Sequence, residues 1–149
     1  MTMDTKKRNS CAIIFKDQEH EMFYRNCLAK SRSQDVYHKA LAYCLGISGD
    51  TRRNVERIYD FNKDSIKTEC LGEGWITSGS ARVVRMAFNL FCNGTPSAYD
   101  LEGEEKVREC QRYTVEDLFC CEYAIFFWEA VKIRYPEYCF PVDLSAFGM

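Results

Sequence analysis

The sequence predicts a mainly α-helical protein: a compact bundle of about five helices around a central C-terminal helix, with at most one small β-hairpin. Three observations carry that expectation. Apolar residues recur at helical spacing in five separate stretches. Only three prolines and eight glycines punctuate 149 residues, which leaves little room for long linkers. Finally, "TVEDLFCCEYAIFFWEAVKIRYPEYC", residues 114 to 139, is apolar in almost every direction when wound as a helix, the pattern of a helix surrounded by others.

Each element follows from its own signals. Residues 1–10 are polar and expected to fray as a flexible N-terminus, with 11–149 as one globular domain. A first helix runs from Asp17, a capping residue, to about Lys30, with Met22, Phe23, Cys27 and Leu28 inward. A second leads from the 31–33 region to Leu45, closed by Gly46. "DTRRNVERIYDF" predicts a third, capped by Asp50. Alternation in "SIKTECLGEGWITSGS" predicts a short hairpin turning at Gly72–Gly74. A fourth helix opens at Ser80 and stops at Gly94, with Arg82, Arg85 and Asn89 on its wet side. Residues 95–112 read as an acidic loop with a helical turn. The last helix is capped by Thr114, stapled by Tyr113 and Leu118, and ended by Pro136. On it Cys120 falls within the core and Cys121 closer to its edge.

Composition narrows the function classes. A net charge of −2 gives no general electrostatic reason to bind nucleic acid or membrane. No stretch has the length of a membrane span, and "CAIIF" is too short for the core of a signal peptide. The expected compartment is therefore the bacterial cytoplasm. Nine cysteines, an odd number, then read as thiols and not as a disulfide framework. No C-x₂-C pair is present, and adjacent helical side chains diverge by about 100°. A zinc ion is thus not required. If one is bound, its ligands come from separate helices, with His20 or His38 among the candidates. No cysteine–histidine signature of nucleophilic catalysis occurs, and both histidines read as surface or capping residues. The expectation is a protein without catalytic residues.

Two charge asymmetries suggest binding. Residues 98–129 hold nine acids against three bases. Asp100, Glu102, Glu104, Glu105 and Glu109 are the candidate contacts to a basic protein surface. Residues 25–57 carry a net +4. Arg52, Arg53 and Arg57 are the alternative, nucleic-acid-binding set, within a segment resembling a helix-turn-helix in outline. The glycine-rich "CLGEGWITSGSAR" leads into a helix with arginines but matches no phosphate-binding spacing, so a structural turn is the better reading.

Three blocks together carry a resemblance: "QDVYHKALAYCLGISGDTRRNVERIYDF", "ECLGEGWITSGSARVVRMAFNLFCNGTPS" and "QRYTVEDLFCCEYAIFFWEAVKIRYPEYC". Over Ile13 to Phe140 the chain resembles a family of small uncharacterised proteins of Firmicutes, found on conjugative elements and prophages. The resemblance supplies no reaction and no catalytic residue. It implies service to a mobile element, and among small non-enzymatic proteins of such elements, inhibitors of host defence such as anti-CRISPR proteins are a leading class. The expected partner is then a protein, most directly a CRISPR effector nuclease. A DNA-binding accessory protein and a zinc-containing protein or enzyme are the alternatives.

Overall fold

The computed structural model describes residues 12–139; the expected frayed N-terminus lies outside them. Helix α1 spans Gln18–Lys30, capped by Asp17, whose carboxylate accepts from the His20 amide at 2.8 Å. Helix α2 spans Val36–Leu45 and is capped in the same way by Asp35, on the His38 amide. Helices α3 (Gly49–Arg53) and α4 (Val55–Ile58) follow, then β1 (Tyr59–Asp60), β2 (Ser65–Ile66) and a 3₁₀ turn at Thr68–Gly72. Helix α5 spans Ser78–Cys92, and a second 3₁₀ turn spans Pro96–Asp100. The chain closes with α6 (Gly103–Gln111), α7 (Val115–Phe119), α8 (Ala124–Arg134) and α9 (Pro136–Cys139).

The mainly α class holds, but its centre is α2 and not the C-terminal helix. Every residue from Ala40 to Leu45 is at most 1% exposed. Helices α1, α5 and α8 pack around it. The physical reason is side-chain size. Ala40 and Ala42 let neighbouring helices approach closely, while Leu41, Tyr43 and Leu45 fill the space between them. The C-terminal segment has neighbours on one side only. Phe127 and Ala130 are fully buried, but Ile125 and Trp128 remain 67% and 52% exposed.

That segment is also not one helix. It breaks at Cys120, whose backbone (φ −88°, ψ 52°) leaves the helical region. The break lets Leu118 on α7 and Phe127 on α8 both turn inward, and Phe119 meets the Phe127 ring edge-on at 5.9 Å. Cys120 is consequently exposed rather than in the core, and Cys121 is half-buried. The staple pair fares as expected, with Tyr113 and Leu118 both buried.

Other boundaries shift for local reasons. Ser48, not Asp50, caps α3, accepting from the Asp50 amide at 3.1 Å. The expected third helix is interrupted at Asn54, whose side chain donates to the Asp50 carbonyl. The structure has a small hairpin, but not the expected one: it turns at residues 61–64, pairing Tyr59 with Ile66 and Asp60 with Ser65. Its turn is built by Asp60, whose carboxylate accepts from the Asn62 and Lys63 amides. The Gly72 region is the 3₁₀ turn instead. Thr77 caps α5, exchanging side-chain-to-backbone bonds with Ser80 in a capping box.

Candidate functional site

The acidic stretch is not a loop. It forms the second 3₁₀ turn and the nine-residue α6. Gly103 at the start of α6 takes φ +63°, a conformation that favours glycine. Glu104 and Glu105 sit in the first turn, where carboxylates complement the helix dipole. No residue of α6 is buried. Polar cross-links from α5 tie its C-terminal end and the residues that follow: Arg85 grips both Glu109 oxygens at 3.1 and 3.3 Å, Asn89 Nδ2 donates to the Tyr113 carbonyl, and Arg82 Nε donates to the Asp117 carbonyl. These three α5 residues were expected to stay wet; they are the ladder on which residues 109–117 hang. Bidentate arginine–carboxylate bonding gives such a tie its geometric precision.

The ladder divides the five candidate acids. Asp100, Glu102, Glu104 and Glu105 are exposed. Glu109 is half-buried, its side chain 15% exposed against Arg85, and acts as a structural tie. Two apolar side chains of the same stretch, Tyr99 and Val107, are also exposed, at 78% and 57%.

The arginine set has a different geometry. Arg52 donates to the Gly46 carbonyl and to Glu19, Arg53 to Asp50, and Arg57 lies 3.9 Å from Glu73. Helices α3 and α4, of five and four residues, offer no continuous recognition helix.

Both histidines are buried rather than on the surface, at 0% and 5% exposure. His20 Nε2–H donates to the Tyr43 carbonyl at 2.7 Å while Nδ1 accepts from the Lys16 amide at 3.0 Å, so the ring is neutral. Burial lowers its pKa. His38 is the opposite case. Its Nδ1 and Nε2 each lie 2.7 Å from a carboxylate, of Asp35 and Asp64 respectively, which fits the doubly protonated ring. Asp64 also accepts from the Tyr59 hydroxyl. Burial opposes the charge on His38, but the two carboxylate bonds outweigh it and raise the pKa. With both nitrogens donating, this ring has no lone pair to act as a base; it braces α2 against the hairpin. Composition hinted at the Asp35–His38 pair through its i,i+3 spacing, whereas Asp64 arrives only through the fold.

A pH dependence follows. His38 is raised, so its contribution to stability is complete below about pH 6.5, the ordinary histidine value, and is lost as pH rises through the folded value. His20 is depressed, so it removes stability as pH falls below about 6.5. Urea midpoints should therefore decline as pH rises above about 6.5. The alkaline decline should shrink in Asp64→Asn. An unchanged decline in that variant would mean that His38 does not drive it.

Among the described residues, no three His, Cys, Asp or Glu side chains gather where one metal ion could be held. Cys11 lies outside them. Cys27 and Cys70 are buried, and burial pushes both thiols up to about 12; Cys44, also buried, is shifted in the same direction. Such thiols are inert core side chains. The glycine-rich segment offers no cradle for phosphate, because the Thr77–Ser80 box uses the Thr77 and Ser80 amides and Arg85 is committed to Glu109. No helix among the described residues is long and apolar enough to cross a membrane.

No curated protein and no solved structure matches the chain. A family model does, across residues 10–145, and the chain therefore belongs to DUF6075, a family of unknown function.

Proposed function

We propose that this chain is a non-enzymatic binding protein of a mobile element, and that it inhibits a host defence complex. Its Asp100–Glu105 face would occupy a basic groove that nucleic acid must reach, most directly on a CRISPR effector nuclease. What supports this reading is the exposure of Asp100, Glu102, Glu104 and Glu105, with Tyr99 and Val107 exposed in the same short stretch. Carboxylates steer a basic partner and set specificity, while an aromatic and an aliphatic side chain supply the desolvated contact. The resemblance to small proteins of conjugative elements and prophages supplies the choice of partner.

The test is direct. Purified protein mixed with the effector should form a complex and reduce the effector's DNA binding. Reversing Asp100, Glu102, Glu104 and Glu105 to lysine should weaken the complex by about a hundredfold at low salt, and less at high salt. Glu109 is left intact, since changing it would also break the Arg85 tie. Neither complex nor lost DNA binding would end this reading. Full affinity in the reversed variant would move the contact elsewhere. The DNA-binding alternative is weaker, because Arg52, Arg53 and Arg57 lie beside Glu19, Asp50 and Glu73 on short helices. A steep fall of DNA affinity with salt would revive it.

A further inference from the structure

The helix break at residues 120–123 removes the argument that Cys120 and Cys121 must diverge. In a continuous helix their thiols would point about 100° apart. Here Cys120 has φ −88° and ψ 52°, and residues 120–123 are non-helical. The two thiols also differ in setting. Cys120 is exposed, whereas Cys121 is half-buried with its Sγ donating to the Leu118 carbonyl at 3.3 Å. Cys120 opens onto a depression of about 460 Å³, whose other walls are Arg82, Gln111, Thr114, Glu116 and Asp117. That volume lies within the range of small-molecule sites. Arg82 commits its Nε to the Asp117 carbonyl, and no ion pair of Arg82 occurs among the described residues. A guanidinium is the group that receives a carboxylate.

We propose that Cys120–Cys121 is a thiol-modification site for a low-molecular-weight disulfide of the carboxylate-bearing kind, such as glutathione disulfide. The Cys120 thiolate attacks one sulfur of that disulfide, forming a mixed disulfide and expelling one thiolate, which takes up the proton lost by Cys120. Cys121, after losing its own proton, then attacks the Cys120 sulfur, closing a vicinal disulfide and expelling the second thiol. The external disulfide gains two electrons and two protons; the cysteine pair loses them. Arg82 holds the carboxylate of the incoming molecule. Adjacent Cα atoms are about 3.8 Å apart, below the usual span for a disulfide, so the closed ring is strained and easily reduced. Strained, exposed disulfides are the labile and regulatory ones. The modification would therefore be reversible. Its place beside Leu118 and Phe119, which line an apolar groove with Trp128, connects it to the exposed face of α8.

The experiment uses the full chain, glutathione disulfide and intact-mass spectrometry with peptide mapping. The wild type should pass through a single glutathione adduct on Cys120 to a species two hydrogens lighter, reversed by dithiothreitol. Cys121→Ser should stop at the adduct. Cys120→Ser, a change at an exposed position, should slow adduct formation about tenfold. Arg82→Gln should slow the first step, and rescue by Arg82→Lys would separate charge from the structural bond to Asp117. Reaction mainly at exposed Cys92, an undiminished rate in Cys120→Ser, an adduct that never closes in the wild type, or no reaction would each overturn the proposal.

Discussion

Replacing Arg134 with alanine is expected to lower the unfolding free energy by about 3 kcal/mol. The side chain is 8% exposed and makes four distinct interactions. Its Nε donates to the Leu90 carbonyl at 3.0 Å and a terminal nitrogen donates to Asn93 Oδ1 at 2.8 Å. Its guanidinium lies 3.7 Å from the centre of the Tyr37 ring and 4.5 Å from that of Tyr135. Leu90 belongs to the last turn of α5, where carbonyls lack helical partners and the dipole favours a cation. Arg134 thus closes one helix, while joining α8 to α2. Alanine removes the charge-assisted bonds, the stacking and the packing together. For a chain of this size the loss corresponds to a fall in Tm of roughly 10 °C. Lysine keeps the charge but not the planar fork, so Arg134→Lys should recover less than half. A loss below about 1 kcal/mol for alanine would mean that these interactions contribute little net stability.

Arg134 also marks where sequence reading succeeds and stops. Its position just before Pro136 identified the end of a helix, and α8 does end there. Capping chemistry acts over three or four residues, so Asp17, Thr114 and the Tyr113–Leu118 staple were all legible. What periodicity cannot supply is which side of an apolar helix has neighbours. The segment 114–134 looks apolar all round, yet α2 and α5 cover only one side of it, and the chain breaks at Cys120 to place Leu118 and Phe127 together. Conversely, α2 is short and looks merely amphipathic. Its centrality comes from three helices that reach it from distant parts of the sequence.

The same distinction runs through the candidate site. Asp100, Glu102, Glu104, Glu105 and Glu109 are alike as letters. Arg85, twenty-four residues from Glu109, separates the last from the rest by pairing with it. The wet-looking row of Arg82, Arg85 and Asn89 becomes a ladder because the following segment folds back along α5. Tyr99 and Val107 carried no signal, since isolated apolar residues in a polar stretch are ordinary until their exposure is known.

Gly46→Ala should cost about 2–3 kcal/mol, although at a position with ordinary negative φ a glycine-to-alanine change usually stabilises. Backbone strain is not the reason, because Gly46 has φ −82°, which any residue adopts. Space is. A Cβ at this position would lie 2.7 Å from His20 Cδ2, 3.0 Å from Phe23 Cδ1 and 3.3 Å from the His20 carbonyl oxygen. Phe23 is only partly buried and can swing aside. His20 cannot, since it is fully buried and pinned at both ring nitrogens by the Tyr43 carbonyl and the Lys16 amide. Shifting the ring sacrifices one or both bonds at a fully buried position. Gly72→Ala and Gly94→Ala, where a Cβ would meet nothing within 4 Å, provide controls and should stay within about 0.5 kcal/mol of the parent. The decisive measurement is the double variant. If the cost of Gly46→Ala is a collision with the imidazole, His20→Ala removes the obstacle, and the pair should be less destabilising than the sum by about 1–2 kcal/mol. Strict additivity would show that the two residues do not compete for the same space.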